Sequence, residues 1–148
     1  MFRRCHGRVV AAALLVPLVM TLAACSEKDK EQAKKNASAP CPSSINGTAT
    51  TQVPSDVPAP TGASSAYQSF SQGATKFWFF AIAGGPDQLA SLRDSYDDTL
   101  KGQGYTIKGH DQEAGAEAES EFSGPHDGTT QFLPLCTGKV RIRLKLES

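Results

Sequence analysis

Hydrophobic positions along the chain fall into four regimes. Val9 to Met20 is almost wholly apolar, broken only by Pro17, and follows a start that carries Arg3, Arg4 and Arg8 without an acid. Ser26 to Pro40 contains no large apolar side chain. Cys41 to Gly62 is rich in Pro, Ser and Thr, and from about Ser64 to Leu146 apolar residues recur at the spacings of strands and one helix. The first run is shorter than the ~20 residues a spanning helix needs, but suits the core of a secretory signal.

The last regime predicts a small fold. Phe77-Trp78-Phe79-Phe80-Ala81-Ile82 is apolar at both parities, so Thr75 to Ala83 is a strand covered on both sides, or one that shows a face to a partner. Tyr67 to Ser71 alternates weakly, and Gln72-Gly73 turns it into a hairpin with that strand. After Gly84-Gly85-Pro86, with the proline suited to a first helical turn, Leu89, Leu92, Tyr96 and Leu100 recur at helical spacing up to Gly102 or Gly104. Shorter strands follow at Tyr105 to His110, Glu117 to Ser123, Thr129 to Cys136 and Lys139 to Leu146. Pro134 marks an edge or a bulge in the third of these. The fold class expected is α+β: an antiparallel β-sheet with one main α-helix packed on a face, preceded by a disordered tether.

On the central strand Trp78, Phe80 and Ile82 share one side, and Phe77, Phe79 and Ala81 the other. One helix covers one side only. The other is shielded by the extended, proline-rich strap Val53 to Pro60, or open to a partner. The cluster Phe77, Trp78, Phe79, Phe80 is therefore a candidate partner or ligand surface as well as candidate core.

Leu22-Ala23-Ala24-Cys25 closes the N-terminal apolar run. It resembles the bacterial lipobox, in which small residues admit the backbone to a peptidase and the cysteine takes a diacylglyceryl group. A plain signal cut after Ala24 or an uncleaved anchor helix are the alternatives. Arg3-Arg4 is followed by Cys5-His6-Gly7 rather than the hydrophobic residues of a twin-arginine signal, which favours ordinary secretion. The resemblance implies a signal peptide over 1–24, acylation of Cys25, and two or three acyl chains. At ~0.8 kcal/mol per buried methylene, two or more chains hold firmly where one binds reversibly. It places the protein at the extracytoplasmic face of the cell membrane, or of the outer membrane in a Gram-negative source. In style alone, the rest resembles small secreted lipoproteins of high-GC Gram-positive bacteria.

Once Cys5 leaves with the signal and Cys25 takes lipid, Cys41 and Cys136 remain. An even pair in an exported domain reads as a disulfide. Metal binding by the two is the weaker reading, since no further ligand sits at the right spacing. The expected organisation is a signal over 1–24, a lipidated N-terminus and flexible tether over 25–40, and one small domain over 41–148. A helix on Glu27 to Lys35 would be marginal alone.

Charge adds one exclusion. The full chain balances at 15 basic and 15 acidic residues, and losing three arginines with the signal leaves a mildly acidic protein, about −3, which argues against nucleic acid as a partner. Lys139, Arg141, Arg143 and Lys145 line one side of the last strand, and Glu117, Glu119 and Glu121 one side of an earlier strand. That is the pattern of a solvated sheet with cross-strand ion pairs, or of a candidate anion surface on the four cations. His110-Asp111 and His126-Asp127 lack the spacing of a metal or acid–base site, Gly84-Gly85-Pro86 lacks a full phosphate-loop motif, and Asn46-Gly47-Thr48 reads as a turn. Nothing points to a catalytic residue, a cofactor or a metal. The function expected is a non-enzymatic binding or accessory module in the cell envelope, working with an envelope protein or cell-wall component. A carrier of a small apolar or lipid ligand around Trp78 is the alternative, and a hydrolase or metal-dependent enzyme on His110 and His126 comes third.

Overall fold

A computed structural model describes residues 23–63 and 65–147, with side chains described from Glu27 onward. The apolar run Val9 to Met20, expected as a signal core, and the side chain of Cys25 lie outside the described residues.

Six strands form one antiparallel sheet: β1 (Gln68–Gln72), β2 (Thr75–Ala83), β3 (Thr106–Glu113), β4 (Glu117–Ser123), β5 (Asp127–Cys136) and β6 (Lys139–Glu147). Their spatial order is β1-β2-β6-β5-β4-β3. The fold is α+β. Gly73, at φ +61°, makes the tight β1–β2 turn. After β2 a short 3-10 turn at Pro86–Gln88 leads into α2 (Leu89–Gly102), which crosses the sheet to β3 at the far edge. β3 to β6 then return as a meander, and β6 closes against β2.

The parity of β2 decides where the core sits. Trp78, Phe80 and Ile82 pair with Leu144, Ile142 and Val140 and point inward with them, joined by Phe132, Phe122 and Ala118. Rings of this size bury about 150–250 Å² each and dominate the hydrophobic gain. Leu89, Tyr96 and Leu100 of α2 close the core from above. At Gly128, between Phe122 and Leu146, a Cβ would stand 2.2 Å from the Lys145 carbonyl and 2.7 Å from the Phe122 ring, so only glycine lets the strands meet there. Pro134 lies in a central strand, at the bulge between Pro134 and Cys136, where a missing ladder donor is tolerated.

The proline-rich strap lies on the same face as α2. Val57 is buried in the core, Tyr96 Oη donates to the Pro58 carbonyl at 2.8 Å, and Trp78 Nε1 donates to the Thr51 carbonyl at 2.9 Å. It shields the inner face beside the helix and leaves the outer side of β2 without that cover.

The segment expected as a flexible tether is helical: α1 runs over Ala23–Ser38. Its composition is polar, and the cause is docking rather than propensity. Ala33 is buried, α1 packs against β5, and Thr137 donates through both N and Oγ1 to the Ala39 carbonyl just beyond the helix. Glu31–Lys35 at 3.2 Å and Gln32–Asn36 at 2.9 Å add i,i+4 support. Cys41 and Cys136 are joined as a disulfide with Cα atoms 5.0 Å apart, which ties this stem to the sheet.

Candidate functional site

The four aromatic residues of β2 divide between two environments. Trp78 and Phe80 are each 1% exposed and belong to the core. Phe77 and Phe79 emerge on the outer face, half-buried, and there they meet Phe70 of β1. The hairpin register sets Phe70 directly opposite Phe77. Its ring stacks on Phe77 with centroids 4.6 Å apart and reaches Phe79 at 5.8 Å. Phe70 is 45% exposed, the exposed large hydrophobic side chain among the described residues. Tyr67 borders the group at 6.4 Å from Phe79. Burial raises its phenol pKa above the usual value, against the opposing field of Arg141.

The outer face continues from this cluster into charge. Lys145, Arg143, Arg141 and Lys139 of β6 stand opposite Phe77, Phe79, Ala81 and Ala83. Glu121 and Glu119 of β4 lie one strand beyond β5, level with Lys145 and Arg143 through Thr129 and Gln131. Burial and Glu117 raise the Glu119 pKa, while Arg143 and Lys145 pull it down. Burial lowers the Arg143 pKa, and Glu119 and Glu117 oppose that. Gln131, 3% exposed, donates to Glu117 at 2.6 Å between the two columns. Arg141 sits over the Phe79 ring at 5.8 Å, Lys145 pairs with Glu147, and Lys139 borders a shallow polar pocket with Tyr67 and Asn46. The cations that the sequence offered as an anion surface thus have acids and a ring as near neighbours. They form the charged margin of the aromatic cluster rather than a bare positive stripe.

The two histidines take partners other than the acids beside them in sequence. His110 Nε2 lies 2.8 Å from Asp97 Oδ2, and His126 Nε2 3.1 Å from Asp56 Oδ2. Ser120 Oγ donates to the same Asp97 oxygen at 2.8 Å. In the Gly84-Gly85-Pro86 loop the Gly85 N–H is taken by Gln88 Oε1 at 3.0 Å, so the segment serves as a capped strand-to-helix turn.

Two features escaped the sequence reading, each with a usable signal. Counting back through the tight turn at Gly73 places Phe70 across from Phe77. On α2 the buried stripe is Leu89, Arg93, Tyr96, Asp97 and Leu100, while Leu92 is only partly buried. Arg93 and Asp97 occupy core spacing, four residues apart, and a charged pair in an apolar stripe is the mark of a polar group held inside.

Comparison with protein-family models, curated proteins and solved structures finds no match.

Proposed function

We propose that this chain is a membrane-anchored lipoprotein whose extracytoplasmic domain is a non-enzymatic binding or accessory module, engaging an envelope protein or cell-wall component through Phe70, Phe77 and Phe79. The observation that carries the reading is the division of β2. The core is complete on the inner face with Trp78 and Phe80, while three stacked rings stand on the outer face with Phe70 45% exposed. Stacked, partly exposed aromatics with arginine beside them are the composition of binding hot spots. The lipobox-like Leu22-Ala23-Ala24-Cys25 supplies the anchor, and no helix among the described residues is long and apolar enough to cross a membrane.

The alternatives have less behind them. A carrier pocket around Trp78 would need space between helix and sheet, yet Trp78 is 1% exposed and packed in the core cluster. A hydrolase on His110 and His126 would need the two histidines to share an acid–base partner, whereas His110 is paired with Asp97 and His126 with Asp56. The test is affinity capture of the lipidated protein from its own membrane, compared with the Phe70→Ala, Phe77→Ala double variant. Partners retained by the native protein and lost by a folded double variant support the reading. Identical partner sets refute it.

A further inference from the structure

Asp97 is the most deeply buried acid of α2, 1% exposed, in a stripe otherwise made for packing. Its Oδ2 accepts from Ser120 Oγ at 2.8 Å and lies 2.8 Å from His110 Nε2. Its Oδ1 is buried and meets no donor among the described residues. A buried carboxyl oxygen without a donor is an expensive arrangement, and a cation held across both Asp97 oxygens would relieve it. One turn earlier on the same helix face, Asp94 brings a second carboxylate. One ligand atom each from Asp94, Asp97 and His110 fall within 4.8 Å of one another.

We propose that Asp94, Asp97 and His110 form a binding site for one divalent transition ion of the zinc class. One imidazole nitrogen and two carboxylates are the donor set such ions take, with remaining positions left to water or a partner's group. The site is rigid at its base and adaptable at its mouth. Asp97 is fixed by Ser120 in the way an outer hydrogen bond orients a ligand, whereas the Asp94 and His110 side chains are 57% and 45% exposed. Tetrahedral coordination at about 2.1 Å sets ligand atoms roughly 3.4 Å apart. Ion capture therefore requires the His110 ring to retreat by roughly half an ångström and Asp94 to swing inward by roughly one. The ring proton then resides on Nδ1, freeing Nε2 for the ion.

Three acids of α2, Asp94, Asp97 and Asp98, stand with two cations, Arg93 and Lys101. The Lys101 ammonium is held above its usual pKa by Asp98 first, and by Asp97 and Asp94 as well. Arg93 is the cation in direct contact with the cluster. It grips Asp94 Oδ1 through Nε and Nη2 at 2.9 and 2.8 Å and donates to the Asp111 carbonyl. That contact leaves Asp94 Oδ2 as the available donor and fastens α2 to β3 beside the site. The inference stands apart from the aromatic surface, on the opposite face of the sheet, so either can fail without the other.

The test is calorimetric titration of the purified full chain, freed of metal and held in detergent, with Zn²⁺ and separately with Co²⁺. The expected result is one site per chain, and a Co²⁺ visible spectrum of tetrahedral or five-coordinate type with a nitrogen ligand. His110→Gln and Asp94→Asn, both at exposed positions, should each weaken Zn²⁺ by at least about tenfold with an unchanged fold by circular dichroism. Asp97→Asn serves as a third variant only where it stays folded. No Zn²⁺ binding in that titration, or equal affinity in the native chain and in His110→Gln, overturns the proposal.

Discussion

Alanine substitution along β2 should separate into two classes, because alternate side chains of one strand face different media. Phe80 is 1% exposed within the core, and truncating a ring so placed costs about 3–5 kcal/mol through lost transfer and a residual cavity. Phe79, half-buried on the outer face, gives up roughly half that apolar area. It also loses a stacked ring at 5.8 Å and an Arg141 contact at 5.8 Å. At about 25 cal/mol per Å² the total is about 2 kcal/mol. Phe77, covered by Phe70 at 4.6 Å, should behave like Phe79. The gap between Phe80→Ala and either outer variant is thus about 2 kcal/mol, or roughly 10 °C in Tm for a domain of this size. Urea unfolding monitored by Trp78, the single tryptophan, reads this directly. Phe77→Ala and Phe79→Ala should lower the midpoint modestly at constant m-value, and Phe80→Ala should lower it by about twice as much. If all three variants lose the same stability, the outer rings are core and the proposed partner surface fails.

The Cys41–Cys136 bridge closes a separation of 95 residues, so Cys41→Ser or Cys136→Ser should cost up to about 4–5 kcal/mol. Alkylation of both thiols in the native exported protein would contradict the bond. Cys25→Ser should abolish metabolic lipid labelling and release the protein from the membrane; normal attachment of that variant would defeat the lipobox reading. Burial first, then Tyr105 and Asp97, raise the pKa of the Tyr96 phenol well above its ordinary value. The folded state therefore keeps that proton after the unfolded chain has lost it. Stability should fall as pH rises above about 10, and Tyr96→Phe should flatten the decline in denaturation midpoints. An equally steep decline in that variant would refute it.

Much of the fold could be read from periodicity, since β4 and β6 each have one wet and one dry side. Val140, Ile142, Leu144 and Leu146 alternate with cations, and Ala118, Ser120 and Phe122 with acids, so β6 and β4 appear in the sequence almost to the residue. Both parities of β2 are apolar, and there the pattern identified a strand without saying which side was core. Only long-range placement of the strap, through Thr51 and Pro58, resolves it. The helix expected to be marginal over Glu27 to Lys35 extends over Ala23–Ser38, because docking at Ala33 and the clamp at Ala39 hold it, which a polar local sequence does not announce. Asp97 and His110 are thirteen residues apart on different elements and meet only because α2 crosses above β3 and β4. Their bond lies beyond any local pattern.

The disulfide at the foot of α1 also fixes how the molecule would carry tension. In an anchored protein, a pull from the lipid end runs along α1 to Cys41 and crosses directly to Cys136 on β5, in the middle of the sheet. The strap, the β1–β2 hairpin and α2 lie between those cysteines in sequence and are bypassed by the load. Force thus enters at the end of β5, paired there with β6 and, from Phe132 to Gly128, with β4 as well. The aromatic hairpin at the sheet edge stays slack. A reduced bridge would reroute the same pull through residue 42 onward, peeling the strap from Trp78 and Tyr96 one contact at a time.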